Sequence, residues 1–278
     1  MEKMKFLLKA CLPIFALVGV LLLCVNIYGE FQSLTPNGVL AVDLRFPQDK
    51  TLTFEESLDA IVRENGESEE AYVRRLNGVV AKSLAHIHWN EYEDIDTYYQ
   101  RVPVWENFIL YFMSIVTDMP EYKKYHFGNY KRSLERGIGI CGDASMVMNQ
   151  ILEKEGIESQ IVSFPGHVIL EARLSNGDKI LSDADFGVIM PFSVEELNKA
   201  PNLAMDYYKS VGFSDREIGG LVRSYALDSE KWNGVKHFIT KKYYFEYLAY
   251  FLKWALPVAL LFFAWMIYRS EWYEVKQD

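Results

Sequence analysis

The sequence contains very little cysteine, and the few cysteines are unevenly placed. Only three occur among 278 residues, and Cys11 and Cys24 lie in an apolar run near the N-terminus. Cys141 is therefore the only cysteine in the rest of the chain, which excludes a disulfide within that part. An unpaired cysteine is unusual in an exported domain, so Cys141 is expected to be a reactive thiol if this domain is exported.

Positive charge is also in short supply. The 29 lysines and arginines are outnumbered by 38 aspartates and glutamates, so the net charge is −9. No basic stripe is available to displace counterions from phosphates, and nucleic acid is therefore excluded as a partner. The sequence also shows no internal repeat and no low-complexity tract.

Two long apolar runs are present, one near each end of the chain. Residues 10–28 are nineteen residues without a charge, enough to cross a hydrocarbon core of about 30 Å at about 1.5 Å per residue. Residues 247–268 form the second run, which only Lys253 interrupts, near one end, where a long side chain can carry its ammonium to the interface. Aromatic residues flank this run, as they do at membrane interfaces. We predict two transmembrane helices around a soluble domain of roughly 215 residues.

The first run is interpreted as an uncleaved anchor and not as a signal peptide. Residues 27–29 offer a poor small-residue cleavage site, and Leu23 before Cys24 does not fit a lipobox. Lysines before this run predict a cytoplasmic N-terminus and an exported domain, although lysines are also more frequent before the second run than basic residues are after it. The expected location is the cell membrane, with two passes and the soluble domain on the extracytoplasmic side.

The chain between the membrane helices is predicted to begin with helices. A capping-box pattern at residues 53–56 opens a helix to about residue 65, and further helices are expected at 67–88 and 105–117, the last of them buried. The predicted domains are an anchor at 1–29, a helical region at 30–105, a core at 106–200, a helical region at 201–246, a membrane helix at 247–269 and a tail at 270–278.

The core segment is predicted to combine one helix with a sheet. Apolar residues from Ala144 to Leu152 keep the spacing of one helix face, and Gly156 supplies a C-terminal cap. Strand patterns follow at residues 158–164, 167–174 and 179–185, and another helix starts near Ser193. This order predicts an α+β fold in which a helix packs on an antiparallel sheet.

Three residues of the core form a candidate catalytic set. Cys141 begins the helix, where unpaired backbone N–H groups and the helix dipole favour a thiolate. The flanking glycines leave room for a substrate carbonyl, and the N–H of Cys141 could stabilise an oxyanion. His167 at the start of a strand is the candidate base, and Asp183 or Asp185 is the candidate acid that orients it.

These residues resemble the transglutaminase-like superfamily of papain-related folds. The matching segments are GICGDA at residues 139–144, GHVILE at 166–171 and LSDADFG at 181–187. The resemblance implies Cys141 as nucleophile, His167 as base and Asp183 as its partner, in a core with extra helices. Ile169 and Ala184 depart from the aromatic residue and the proline that are common at these places.

The strand register decides whether the three side chains can meet. With the commonest two-residue turn between the strands, Asp183 and Asp185 would both point away from His167. A three-residue loop at 175–177, with Gly177 left-handed, would instead place His167 opposite Asp185 and diagonal to Asp183. The triad hypothesis therefore predicts this loop, or a bulge that corrects the register, and we favour Asp183 over Asp185 as the acid.

Other patterns carry less chemistry. His86 and His88 fall at a predicted helix end without an acidic or cysteine partner pattern, so no metal is predicted, and no cofactor is predicted either. Four aromatic residues are expected to pack against the helix that begins at Cys141, namely Tyr122, Tyr125, Phe127 and Tyr130.

Two classes of function are compatible with this sequence. The first is a membrane-anchored cysteine enzyme that cleaves or transfers an amide acyl group of a protein or peptide, with hydrolysis favoured over transfer to an amine. The second is an inactive domain of the same fold that binds partners in an envelope complex.

Overall fold

The computed structural model describes residues 2–39, 44, 52–87, 89 and 94–275, with side chains described between residues 12 and 269. The chain divides into two compact units. The first comprises Met1–Ser33, Tyr99–Tyr125 and Phe245–Asp278, and the second comprises Leu34–Tyr98 and His126–Tyr244. We call them the helical unit and the sheet unit.

The helices, in chain order, are α1 Glu2–Gly29, α2 Phe54–Ala60, α3 Glu69–Ser83, α4 Phe108–Val116, α5 Pro120–Lys123, α6 Tyr130–Arg136, α7 Cys141–Lys154, α8 Val194–Lys199, α9 Met205–Ser210, α10 Asp215–Tyr225, α11 Val235–Phe238 and α12 Lys241–Val275, with a 3-10 turn at Pro201–Ala204. The strands are β1 Ala85–His86, β2 Ile138–Gly139, β3 Glu158–Phe164, β4 His167–Arg173, β5 Lys179–Asp183, β6 Val188–Met190 and β7 Glu230–Trp232.

The helical unit contains two helices that are long and apolar enough to cross a membrane. These segments are Leu12–Gly29 of α1 and Lys241–Arg269 of α12, and only 17% of each is buried. The two helices run antiparallel, because Asn26 donates to the carbonyl of Lys253 at 2.5 Å while Gly19 faces Leu261. Gly19 permits this close approach, since a Cβ there would lie 2.9 Å from Leu261 Cγ.

Lys253 of α12 lies near the end of α1, and its ammonium is 3.7 Å from the Glu30 carboxylate just after that helix. One expectation about the helical unit needs correction. The helix predicted at residues 105–117 is shorter, and it is not buried, since Phe112 on α4 is 60% exposed. The residues of α4 are apolar on every face of the helix, so packing one face against the protein leaves apolar residues on the other faces exposed.

The sheet unit has a mixed α+β architecture, as predicted, with five antiparallel strands in the order β6-β5-β4-β3-β7. Helix α7 packs on β3 and β4 through Val147, Met148 and Leu170, which are buried in one core cluster. Polar contacts fix the same interface, because Ser145 Oγ donates to the carbonyl of Val168 at 3.2 Å. The region 201–246 was predicted to be helical, but it also contains the strand β7. With only three residues, β7 is too short to show the alternation of apolar and polar residues that identifies a strand.

The predicted helix at 67–88 ends at Ser83, earlier than expected. The chain then forms β1, which pairs in parallel with β2 and sets His86 beside Gly139. His86 therefore lies on a strand and not at a helix end. His88 lies outside the described residues.

The turn between β4 and β5 has the predicted three-residue form. Arg173 pairs with Lys179 and Leu170 with Ser182, so the loop comprises residues 175–177. Gly177 has a φ of +90°, a left-handed conformation that glycine adopts without steric cost. The register that the triad hypothesis requires is therefore confirmed.

Candidate active site

Cys141 is the first residue of α7, as the sequence predicted. The preceding Ile140 is the N-cap, and its N–H donates to Asp143 Oδ2 at 2.9 Å. Cys141 itself is half-buried, so reagents can reach the residue from solvent. Gly139 also packs closely against Asp143, because a Cβ there would lie 2.7 Å from Asp143 Cβ. The lack of a side chain at Gly139 makes room for the capping acid.

His167 is the first residue of β4 and bridges the cysteine to an acid. Its Nε2 lies 2.7 Å from Asp183 Oδ2, and both side chains are almost completely buried. Cys141 Sγ, a ring nitrogen of His167 and a carboxylate oxygen of Asp185 lie within 4.8 Å of one another. Because Asp183 occupies Nε2, Nδ1 is the nitrogen that remains for the sulfur.

The two candidate acids have different partners. Asp183 is bonded to His167, and its second oxygen accepts the N–H groups of Asp185 at 3.2 Å and Phe186 at 3.3 Å. Asp185 instead accepts from His86, with 2.6 Å between Oδ1 and Nδ1. The structure thus pairs Asp183, the favoured residue, with His167, whereas Asp185 is paired with His86.

The environment of His167 favours its protonated form. Burial alone lowers the pKa of the imidazole, but the charge and hydrogen bond of Asp183 outweigh burial, with further help from Cys141. The pKa of His167 is therefore raised well above its ordinary value. A ring that holds its proton can pair with a thiolate and later deliver that proton to a leaving group.

Two tyrosines form a chain of hydroxyl groups that ends on the Asp183 carboxylate, and the sequence analysis predicted neither of them. Tyr208 donates its hydroxyl to Asp183 Oδ2 at 2.5 Å, and its oxygen lies 2.5 Å from the hydroxyl of Tyr225. Burial and the Asp183 charge raise the pKa of both phenols well above the ordinary value, so both stay protonated. Since Tyr208 gives its single proton to Asp183, Tyr225 donates to Tyr208.

A buried charge cluster under the start of α7 was also missed. Asp143 Oδ2 lies 2.8 Å from His126 Nδ1, and Asp143 Oδ1 lies 3.7 Å from the buried Arg136 guanidinium. Burial raises the pKa of Asp143, yet the charges of His126 and Arg136 outweigh burial and lower it. Arg136 also stacks over Trp89 and Phe127. The acid after the GICG segment was the only sequence signal for this cluster.

The aromatic group upstream of Cys141 divides between the two units. Tyr130 packs in the core cluster that contains the α7 residues Ala144 and Val147, as expected. Tyr122 and Tyr125 belong to the helical unit, where Tyr122 stands edge-on to Phe245.

One cavity of the sheet unit lies away from the cysteine. Its volume is about 630 Å³, and the C-terminal half of α7, the start of β3 and α11 line it, without Cys141, His167 or Asp183.

No protein-family model, curated protein or solved structure matches the chain. Its function is therefore inferred from the residues and their geometry.

Proposed function

We propose that this chain is a membrane-anchored, transglutaminase-like cysteine enzyme that cleaves or transfers an amide acyl group. The observation that supports it most is that the His167 ring has two neighbours. Its Nε2 is bonded to Asp183, and Cys141 lies close to the ring as well. A nucleophile, a base and an orienting acid in hydrogen-bonding order are what such chemistry needs. Cys141 at the start of a helix adds backbone N–H groups on the same side.

The reaction follows from these three groups. The Cys141 thiolate attacks the amide carbonyl carbon and forms a C–S bond, and the carbonyl oxygen becomes an oxyanion. The His167 imidazolium gives its proton to the leaving nitrogen as the C–N bond breaks, which leaves a thioester on Cys141 and a neutral imidazole. A water or amine then attacks the thioester, gives its proton to His167 and restores the thiolate.

Water is the favoured acceptor, which makes the enzyme a peptidase or amidase and not a transamidase. Water is always present, and the sequence offers no amine-binding feature. Asp183, Tyr208 and Tyr225 position the ring in this scheme, because the hydroxyl chain fixes the carboxylate that fixes Nε2. The substrate class is a protein or peptide.

The two long apolar helices support a two-pass attachment to the membrane. The lysines before the first apolar run, at residues 3, 5 and 9, favour an extracytoplasmic side for the sheet unit in this proposal. Its substrates and partners would then be envelope proteins.

The proposal can be tested on the full-length protein in detergent. Iodoacetamide labelling of Cys141 is followed by peptide mass spectrometry at about pH 6.5, the ordinary pKa of histidine. Wild type should label readily, because the raised pKa of His167 keeps an imidazolium beside the sulfur. His167→Ala should label about 10-fold more slowly or worse, and Asp183→Asn should also lose rate, since one pKa unit is a tenfold change in ionised fraction.

His237→Ala is the matched control, because this exposed histidine bonds only locally, to the Asn233 carbonyl. Acylation by p-nitrophenyl acetate gives a second readout, and it should disappear in Cys141→Ala. Labelling that is equal in wild type and His167→Ala would refute the enzyme proposal. The inactive binding module would then be the better hypothesis.

A further inference from the structure

The groups around the Cys141 sulfur also resemble a metal site. We infer that Cys141, His167 and Asp185 bind a zinc ion, and that the ion blocks the thiolate while it is bound. Their sulfur, nitrogen and oxygen atoms lie within 4.8 Å of one another. Thiolate, imidazole and carboxylate are the ligand types that zinc accepts in proteins.

The geometry needs only a small adjustment to hold the ion. With zinc–ligand distances of about 2.0–2.3 Å, tetrahedral geometry puts neighbouring ligand atoms about 3.3–3.8 Å apart. Separations of up to 4.8 Å must therefore contract by about 1 Å. Rotation about χ1 of Cys141 moves the sulfur and can supply part of this contraction.

Asp185 has a feature that the acyl-transfer mechanism leaves unexplained. Its side chain is only 5% exposed, and one oxygen accepts from His86. The other oxygen, Oδ2, is buried and has no hydrogen-bond partner among the residues that the structure describes. A buried carboxylate oxygen without a donor is costly, and a bound cation removes that cost.

Both non-sulfur ligands already have the outer partners that metal ligands usually have. A zinc-bound histidine typically donates its other ring N–H to a carboxylate, and a bound carboxylate is itself hydrogen-bonded. His167 meets the first condition through Asp183, and Asp185 meets the second through His86. These partners orient the ligands before any metal arrives.

Three protein ligands leave a fourth position for water, and the half-buried Cys141 gives the ion a route in. The sulfur lone pair cannot bind zinc and attack a carbonyl at once, so the ion acts as a reversible inhibitor of thiolate chemistry. Metal binding itself requires the thiolate and does not rest on the proposed acyl transfer.

Cobalt provides the test, because Co²⁺ replaces Zn²⁺ and absorbs light. Metal-free, full-length protein in detergent is titrated with Co²⁺, and the thiolate-to-cobalt absorption in the near ultraviolet is measured. A saturable band that Zn²⁺ removes is expected. Cys141→Ser should abolish it, and Asp185→Asn should weaken Co²⁺ binding about 10-fold or more, the loss that even an outer partner causes. Asp178→Asn, in the exposed turn, is the matched control and should bind as wild type does.

Protection of the thiol gives a second measurement that needs no variant. Zn²⁺ should slow iodoacetamide labelling of Cys141, and EDTA should restore it. If Asp185→Asn does not fold by circular dichroism, Cys141→Ser and this protection test still decide the matter.

Absence of both the cobalt absorption band and the protection by Zn²⁺ would overturn the proposal, and so would wild-type affinity for Co²⁺ in a folded Asp185→Asn. Metal-free protein that acylates but binds no Co²⁺ refutes the metal site alone, whereas protein that binds Co²⁺ but does not acylate refutes the enzyme alone.

Discussion

The helical unit and the sheet unit place apolar side chains in opposite ways. In the helical unit, Leu17 and Phe251 are among many large apolar side chains that face outward. In the sheet unit, Met148 and Leu170 are completely buried, as in a protein core in water. Outward-facing apolar side chains on two helices of membrane-crossing length fit the proposed attachment to a membrane.

The treatment of charge differs as well. The helical unit buries Lys253 against a single carboxylate, Glu30, at 3.7 Å. The sheet unit also buries carboxylates in connected sets, such as Asp183 with His167 and Tyr208. The buried charges of these sets therefore lie next to α7 and β4, which carry the candidate catalytic residues.

The largest effect is expected from breaking one of these buried sets. Asp143→Ala removes the carboxylate that faces Arg136, His126 and the N–H of Ile140, and should cost about 3–5 kcal/mol of unfolding free energy. The measurement is guanidinium denaturation of the full chain in detergent. Glu70→Ala, which breaks an exposed pair with Arg74, is the control and should cost only about 0.3–0.5 kcal/mol. Equal losses would show that the buried set contributes no more than a surface pair.

A smaller contrast is expected between apolar residues of the two units. Met148→Ala in the sheet unit should cost about 2–5 kcal/mol, because it opens a cavity in a closed core. Phe112→Ala on the exposed face of α4 should change stability by less than about 0.5 kcal/mol in detergent. Both are measured by the same denaturation. A large loss at Phe112 would mean that the helical unit packs this face against protein.

The smallest effect concerns two glycines on helices. Gly19→Ala should destabilise the α1–α12 contact by about 1 kcal/mol, since the new Cβ meets Leu261 and the Pro257 carbonyl. Gly78→Ala on α3 should stabilise the sheet unit by about 0.5–1 kcal/mol, because its Cβ meets nothing within 4 Å. Thermal unfolding of both variants in the same detergent compares them. A gain at Gly19 would contradict the close helix approach.

Much of the site was predictable because its signals are local. A helix start marks Cys141, a strand start marks His167, and the alternation of side chains reduced the choice of acid to a question of turn length. The three-residue form of that turn could not be read from Asn176 and Gly177, because the same pair also suits a two-residue turn.

The rest depends on contacts between residues far apart in the chain. Tyr208 reaches Asp183 across 25 positions, and His126 reaches Asp143 across 17, without a periodic pattern that would announce either contact. His86 was considered with His88, but its partner is Asp185, which lies 99 positions away. The exposure of α4 was mispredicted for a related reason, since composition shows that a helix is apolar but not what covers it.

The turn at residues 175–177 makes the site sensitive to insertions and deletions that touch none of its own residues. Side chains alternate between the faces of a strand, so removing one turn residue and re-pairing the strands in the shorter register would carry Asp183 to the face away from His167. Among variants of this chain, the length of this exposed loop would then decide whether Asp183 can reach His167, even where Cys141, His167 and Asp183 are all retained.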